Sequence, residues 1–409
     1  MHLERNMDNV RKLQPDTAPR AIEPRMDRPT IPEIQPPDPS SFRPIQPGRP
    51  SADNPPDELD LCFHGNARDY FRIWVVNLCL SLVTLGIFSA WAKVRKKRYM
   101  YAHTTLGGTP FQYLARPEPI LKGRIIAVIG FSLYYLSSHF ITTLFPYVMA
   151  AGMVAAPWVL SRSAGFKARY SAFRNMTFSF DGSYWGACKA LYAWGILPAF
   201  IVGTVLSTMG HKATLGVASV VFSFHFPWFL RRINAYIVEH TAFGGKKGEF
   251  SATGGQYFGV YFTSGLIILA IAIPAIVIMT IIFRSGNNFQ IFAILVTLPI
   301  YLGYVIAYAF VKARSGNISW NHIRVGSLYF KSTLRTGDLV KLYITNAIGI
   351  IVSLGLLIPW AVIRTLRYRV EKMRVLHTGS LTQFRGSEKR NVAAAGSEAI
   401  DIFDMDLAL

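Results

Sequence analysis

Long apolar runs alternate with short polar, basic connections along the chain from residue 63 onward. A helix of about 20 apolar residues crosses the roughly 30 Å hydrocarbon core of a bilayer. The pattern therefore predicts a membrane bundle with six full-length helical spans, arranged as three hairpins. These predicted spans cover residues 122–143, 145–162, 186–207, 214–230, 259–283 and 290–312.

Two further apolar segments, 70–92 and 339–361, resemble each other at one constant offset along the chain. Each is interrupted near its middle by a Leu-Gly pair. A single crossing by the second segment would place the Arg and Lys that follow it outside the cell, against the positive-inside rule. We therefore predict two re-entrant or short spans, and the alternative is eight full spans with the tails on opposite faces. The offset pairs Asn77 with Asn346 and Gly86 with Gly355, and these four residues are candidate interface or ligand positions.

Five apolar runs end in related basic segments, which we call cassettes; the first reads FSAWAKVRKKRYMYAHTTLGG. In the first, third and fifth, a Trp ends the run, cations follow, and a His-Thr pair comes last, with equal spacing from one pair to the next. The second and fourth also match at a constant offset, which pairs Asn175 with Asn317. The cassettes predict internal repeats within an all-α, multi-pass transmembrane helical bundle. Their candidate interface or ligand positions are Trp91, Trp228, Trp360, His103, His240 and His377.

The cassettes also predict the sidedness of the protein, because they carry many cations whereas the tips of the predicted hairpins carry few. By the positive-inside rule the cassettes face the cytoplasm. A Trp at a helix end sits well at the headgroup level, and each Lys or Arg near an anionic leaflet adds about 1 kcal/mol of attraction. We therefore predict the lipid bilayer as a partner, with anionic lipid at the cytoplasmic face. The Gly pairs after the cassettes are interpreted as helix ends.

The segment 1–60 differs from the rest, because thirteen of the chain's 23 prolines lie between Pro15 and Pro56. Such a segment cannot bury enough apolar surface to offset its conformational entropy. We predict a disordered Pro-rich tail over 1–60, a repeated membrane domain over 61–385 and a flexible C-terminal tail over 386–409. The N-terminal tail is a candidate for binding a protein partner, although it has no recognisable anchor motif.

The composition agrees with a membrane protein, since the 409-residue chain is 51% hydrophobic and 16% charged, with a mean hydropathy of +0.28. A formal charge of +20 would favour nucleic acid if the cations lay on a polar domain. Here the cations flank apolar runs, so no nucleic-acid partner is predicted. The three Cys are widely separated and match neither a metal motif nor a disulfide framework.

Catalytic motifs are missing from the sequence. No Asp or Glu lies inside an apolar span, and there is no Ser-His-Asp, Cys-His or GxSxG arrangement. We therefore expect no enzyme activity, no catalytic residue, no metal and no cofactor. The three cassette histidines either cap the basic helices or converge on a ligand, because imidazole is a common ligand.

Two functions are compatible with these features. Gly-interrupted segments and Pro inside spans are common in carriers, which favours a transporter or channel for a small solute. Alternatively, cassettes that bind the anionic leaflet favour a non-transporting lipid-binding or scaffold membrane protein. The sequence indicates neither a substrate nor an oligomeric state.

One stretch also carries a family resemblance. Residues 63–113, FHGNARDYFRIWVVNLCLSLVTLGIFSAWAKVRKKRYMYAHTTLGGTPFQY, resemble the opening unit of the YjgN-like family of bacterial inner-membrane proteins, which is defined by a domain of unknown function. The resemblance covers about residues 61–385. Ala90 stands where Pro is common before the Trp, and the Pro-rich tail is an addition. The resemblance implies a multi-pass protein of the bacterial inner membrane, and it implies no reaction.

Overall fold

The structure is a computed structural model that describes residues 57–193, 197–208, 214–284 and 289–378. The predicted C-terminal tail at 386–409 and residues 1–56 of the predicted N-terminal tail lie outside these described residues. A first strand, β1, occupies Asp57–Leu59, within the range that the sequence assigned to the tail.

Helices make up most of the described residues, and each begins or ends close to a strand or a tight tip. They are α1 (Ala67–Val83), α2 (Ser89–Ala102), α3 (Pro117–His139), α4 (Phe145–Tyr170), α5 (Tyr184–Leu191), α6 (Leu197–Thr208), α7 (Thr214–Glu239), α8 (Gly254–Arg284), α9 (Phe289–Asn321), α10 (Thr336–Val352) and α11 (Ile358–Glu371). Local capping sets some of these starts. The Asn66 side chain accepts a hydrogen bond from the backbone N–H of Arg68 at the start of α1.

Short antiparallel strands separate the groups of helices, and they form one sheet. The remaining strands are β2 (Leu61–Phe63), β3 (Thr104–Leu106), β4 (Thr109–Tyr113), β5 (Ser171–Phe173), β6 (Met176–Phe180), β7 (Thr241–Phe243), β8 (Lys246–Phe250), β9 (Ile323–Val325), β10 (Leu328–Ser332) and β11 (Met373–His377). The 11-stranded sheet has the order β1-β11-β10-β9-β8-β7-β6-β5-β4-β3-β2.

The two edges of this sheet are adjacent in the chain. Strand β1 pairs with β11, and β2 pairs with β3. Because only Asp60 separates β1 from β2, the sheet curls into a nearly closed barrel, in which most strand backbone groups find a partner. The Asp60 carbonyl also accepts a hydrogen bond from the N–H of Gly107 at 2.9 Å.

Two-residue turns connect the strands of each hairpin. In three of them both turn residues have positive φ, at Gly107-Gly108, Arg174-Asn175 and Gly244-Gly245. Positive φ at both positions is the geometry of the type I′ turn, whose twist matches that of the flanking strands. The Gly pairs interpreted from the sequence as helix ends are therefore hairpin turns.

All hairpin turns lie at one end of the barrel, which we call the turn end, and all helix connections lie at the other, the helix end. This follows from the register, because Tyr113, which leads into α3, pairs with Ser171, which follows α4. Helices from successive groups contact each other, as α2 does with α3, α4 with α5, α7 with α8 and α9 with α10. Helix α11 contacts α1, so the circle of helices closes in the same order as the sheet.

The predicted all-α fold class is wrong, because the polar ends of the cassettes form the strands of this barrel. The predicted number of spans is also wrong. Within the described residues, three helices are long and apolar enough to cross a membrane: Pro117–His139, Thr142–Tyr170 (a span that includes the 3₁₀ turn before α4) and Gly254–Ile282. The predicted span 186–207 contains residues 194–196, which lie outside the described residues; α5 ends at Leu191 before them, and α6 after them has 12 residues, about 18 Å of helix.

The alternative of eight full spans fails for a related reason. Helices α1 and α10 have 17 residues, and α2 and α11 have 14, which is fewer than the roughly 20 required. The chain is interrupted where the sequence indicated. Leu85 and Gly86 have φ of 50° and 88°, and Leu354 and Gly355 have 50° and 92°. Left-handed backbone at two successive residues ends a helix, so each segment forms two short antiparallel helices.

The positions of the helices and strands agree with one of the two offsets that the sequence predicted and disagree with the other. The bounds of α1 and α2 match those of α10 and α11 at the same offset that pairs Asn77 with Asn346. In contrast, the offset that pairs Asn175 with Asn317 is wrong, because Asn175 lies in a hairpin turn and Asn317 lies inside α9. The hairpins β5–β6 and β9–β10 correspond at a longer offset, which brings Ser171 onto Ile323.

Candidate functional site

The inside of the barrel is apolar because alternate residues of each strand point inward. In β11, Met373 and Val375 are buried whereas Arg374 between them is exposed, and in β2 Leu61 and Phe63 are buried. Every strand contributes to the wall. The inward side chains leave a cavity of about 230 Å³.

Two polar side chains other than the Trp320 indole line this cavity among the described residues, Thr241 and Arg174. The Thr241 hydroxyl donates to the Ile237 carbonyl at 2.6 Å, so its hydrogen bond is made within the protein. Arg174 lies in the β5–β6 turn, at the turn end, with its guanidinium carbon 5.4 Å from the centroid of the Phe173 ring. The cavity thus has apolar walls and one cation at its turn end.

The three predicted Trp occupy equivalent places. Each stands the same number of residues before the first residue of the strand that follows its helix, and each is half-buried: Trp91, Trp228 and Trp360. Trp228 packs 5.1 Å from the Phe258 ring, between centroids, and against Gly254 at the start of the next helix. The Trp side chains therefore contribute to contacts between neighbouring helices.

The same place in the other two strand-bound helices is also aromatic, which the sequence reasoning missed. Trp158 stands that same number of residues before Ser171, the first residue of β5. Phe310 stands the same number before Ile323, the first residue of β9. Four positions after each of the five aromatic side chains stands an arginine. We call these ten residues the aromatic–arginine belt: Trp91/Arg95, Trp158/Arg162, Trp228/Arg232, Phe310/Arg314 and Trp360/Arg364. The motif, an aromatic residue, three others and Arg, was visible in the sequence, but its alignment required the strand positions.

Helix geometry places the two members of each pair on one face of their helix, and the distances in three of the pairs agree with this. Residues four apart are neighbours on one face of a helix. The guanidinium carbon lies 5.9 Å from the ring centroid for Arg162 over Trp158, 6.0 Å for Arg314 over Phe310 and 5.0 Å for Arg364 over Trp360. Arg95 instead lies 5.3 Å from Phe88, whose ring stacks on Trp91.

The residue before each aromatic side chain is small or Pro, and it is buried. Ala90 and Ala309 have no exposed surface, and the three prolines at the same place are also enclosed. These prolines are Pro157, Pro227 and Pro359. A small, buried residue lets neighbouring helices approach closely, which explains why Ala90 can stand where Pro is common.

All five pairs lie at about the same height above the barrel. Each helix reaches its strand with at most one residue between them. At 1.5 Å per residue, the aromatic residue is about 20 Å and the arginine about 14 Å from the start of the strand. The arginines are thus on the barrel side of the aromatic residues in all five helices.

His103 and His240 cap their helices. Their Nδ1 atoms lie 2.8 and 2.9 Å from the carbonyl oxygens of Tyr99 and Tyr236, four positions earlier. His322 at the end of α9 makes the same contact with Ile318 at 2.8 Å, which the sequence reasoning missed. These side chains satisfy terminal helix carbonyls.

His377 is not equivalent to the other two predicted histidines. It is the last residue of β11, where it pairs with Asp57 and Leu328, whereas His103 and His240 precede their strands. Lys372 occupies the corresponding place, so the equal spacing of the three His-Thr pairs was misleading. Within the described ranges, none of these histidines joins a group of three metal-ligating side chains.

The two predicted asparagines are both buried but differ in their contacts. Asn346 donates from Nδ2 to the Thr365 hydroxyl at 3.1 Å, and its Oδ1 accepts from Arg364 at 3.2 Å. The Oδ1 of Asn77 has no hydrogen-bond partner among the described residues. Arg95, which corresponds to Arg364, is exposed and lies over Phe88 instead.

This difference predicts unequal effects of the same substitution. Asn346→Leu should lower the free energy of unfolding by about 1–3 kcal/mol, because it removes the hydrogen bonds that the Asn346 amide makes with the Arg364 guanidinium and the Thr365 hydroxyl. Asn77→Leu should change it by less than about 0.5 kcal/mol, since Oδ1 loses no bond. Apparent melting temperatures of both variants in one detergent would test this, and equal losses would contradict it.

Two tyrosines hold the starts of α1 and α10. The Tyr99 hydroxyl accepts from the Asn66 N–H at 2.8 Å, and the Tyr368 hydroxyl accepts from the Arg335 N–H at 3.1 Å. Burial raises the pKa of both phenols above the usual value. Both therefore stay protonated at neutral pH and hold each first helix against its second.

Comparison with known proteins places the chain in a membrane context. Residues 58–402 match the family described as "Bacterial protein of unknown function (DUF898)". The chain is 28% identical over 186 residues to "Inner membrane protein YjgN" of Salmonella typhimurium, covering 44% of this chain and 45% of that protein. It is 47% identical over 51 residues to the protein of that name in Escherichia coli K12, covering 12% and 13%.

The matched segments thus span less than half the length of these relatives. No solved structure matches the chain. The resemblance predicted from residues 63–113 is confirmed, and the names of the relatives support a location in the bacterial inner membrane.

Proposed function

The chain belongs to the DUF898 family of bacterial proteins, and from this premise we propose that it is a non-transporting inner-membrane protein that binds anionic phospholipid headgroups with the aromatic–arginine belt. The observation that carries the proposal is the common height of the five pairs. An aromatic ring and a cation that repeat at one level around a circle of helices match the structure of a membrane interface, where aromatic belts lie beside anionic headgroups.

The order of the two residue types agrees with the direction of the membrane. Beyond the aromatic residues, away from the barrel, the tips of the short helices expose Leu82, Val83, Leu85, Val352 and Leu354. Apolar side chains at that level favour lipid contact, since large apolar patches are rare on soluble surfaces. The arginines, about 6 Å nearer the barrel, then reach the phosphate level.

The proposal also states which leaflet the belt faces and that the protein is built from duplicated units. With its cations on the barrel side, the belt faces the cytoplasmic leaflet by the positive-inside rule, and the barrel lies in the cytoplasm. Five helix ends, each leading to a strand at the same interval, are the pattern expected of duplicated units.

A route for a polar solute along the barrel axis would need polar walls. The barrel cavity instead has apolar walls, and a cavity of this kind disfavours ions and small polar solutes. This observation disfavours passage of such solutes through the barrel, and to that extent it supports the lipid-binding alternative.

Removal of belt charge tests the proposal. The full-length triple variant Arg162→Gln/Arg232→Gln/Arg314→Gln should retain several-fold less phosphatidylglycerol than the native chain after purification from mixed phosphatidylethanolamine and phosphatidylglycerol membranes. At about 1 kcal/mol per cation, the upper limit is roughly 100-fold in affinity. Native mass spectrometry would count the retained lipids.

The matched control removes three exposed cations from the barrel strands: Lys246→Gln/Arg324→Gln/Lys331→Gln. It should retain as much phosphatidylglycerol as the native chain. Equal retention by the belt variant and this control would refute the proposal.

A further inference from the structure

The cavity of the barrel has no part in the headgroup contacts proposed above. Its walls come mainly from the strands, with Ile237, Val238 and Trp320 from the helix ends next to them, whereas the belt lies about 14–20 Å beyond the strand starts. The cavity has a volume of about 230 Å³. This is large for the inside of a protein, where voids seldom exceed the size of one water molecule.

We propose that this cavity binds one medium-length acyl chain that carries an anionic end group, with Arg174 as the partner of that group. The size fits such a ligand. A methylene group takes up about as much space as a water molecule, roughly 30 Å³, so the cavity corresponds to seven or eight methylenes. It exceeds the ~150 Å³ apolar cavity known to hold benzene.

The lining fits an acyl chain rather than a polar molecule. Thr241 has already donated its hydroxyl hydrogen to Ile237, and apart from Arg174 and the Trp320 indole the remaining walls are aliphatic and aromatic, as with Leu328 and Phe330. Polar ligands would lose their hydrogen bonds to water without gaining others. A hydrocarbon chain has no such cost.

The position of Arg174 determines which end of the ligand carries the charge. Arg174 is exposed, with a φ of 49°, a left-handed conformation that non-glycine residues seldom adopt. The turn holds its guanidinium over Phe173, one of the cavity walls. A carboxylate at the turn end can therefore pair with this cation while its chain enters the barrel.

Photolabelling of the full-length protein in nanodiscs would test the site. The probe is an eight-carbon carboxylate with a diazirine in its chain, and labelled peptides are mapped by mass spectrometry. We expect labels on strand residues that line the cavity, and a several-fold loss of this label with excess octanoate but a smaller loss with octylamine. Label confined to the apolar helices would overturn the proposal.

Two variants separate charge from volume. Arg174→Gln should reduce strand labelling several-fold, whereas Arg324→Gln, which alters an exposed arginine outside the cavity lining, should leave it unchanged. Leu328→Phe reduces the cavity and should reduce labelling in protein that still elutes as a folded particle. If Arg174→Gln labels like the native chain, or octylamine competes as well as octanoate, the anionic end group is wrong. Neither result depends on lipid retention by the belt.

Discussion

Gly248→Ala should lower the free energy of unfolding by about 3 kcal/mol. Gly248 lies in β8 where helix α7 crosses the strand, and a Cβ at this position would meet the carbonyl oxygen of Val238 and lie 2.9 Å from its Cγ1. A carbonyl oxygen cannot rotate away as a side chain can, so the helix or the strand must move. Overpacking of this kind typically costs about 1–3 kcal/mol, and a backbone clash belongs at the upper end.

The measurement is the apparent melting temperature, followed by circular dichroism of purified protein in one detergent. Glu249→Ala is the matched control, because Glu249 is the next residue of β8 and is exposed. It should melt within a few degrees of the native chain. A Gly248→Ala protein that melts with this control would show that α7 and β8 are not in close contact.

Gly254→Ala should lower the free energy of unfolding by about 1–3 kcal/mol. Gly254 starts α8, and a Cβ there would overlap the indole of Trp228, including its Cγ at 3.0 Å. Trp228 would be displaced from its contact with Phe258, and Arg232 follows it on the same helix face. The variant should therefore also retain less phosphatidylglycerol.

The adjacent glycine provides the control. A Cβ on Gly255 would meet nothing within 4 Å, so Gly255→Ala should leave stability unchanged or raise it slightly, because Ala favours a helix more than Gly does. Lipid retention should also be unchanged. If both variants lose the same stability, the loss arises from helix propensity and the contact with Trp228 is not responsible.

The strands were the largest error of the sequence interpretation, and their length explains it. Strands of three to five residues are too short for a reliable period-two pattern. A Gly-Gly pair between two short apolar runs is a recognised hairpin signal, and it was present at Gly107-Gly108 and Gly244-Gly245. The turn at Arg174-Asn175 has no glycine and offered no such signal.

The candidate site was predicted only in part. Trp91, Trp228 and Trp360 do occupy one repeated place, but Trp158, Phe310 and the arginine partners were missed. Regular spacing along the chain was an unreliable guide, as His377 shows. Equivalence depends on the strand that each helix reaches, and helices of different lengths separate the strands.

By itself, the sequence determined the apolar helices, their breaks at Leu85-Gly86 and Leu354-Gly355, and the basic cassettes at their ends. These depend on local composition and backbone preference, which a short window of sequence contains. Only the tertiary structure decided that the cassettes end in a barrel and that five aromatic–arginine pairs share one height. The barrel's hydrogen bonds join residues as distant as Asp57 and His377. Such pairings depend on which distant strands meet, and no local pattern specifies that.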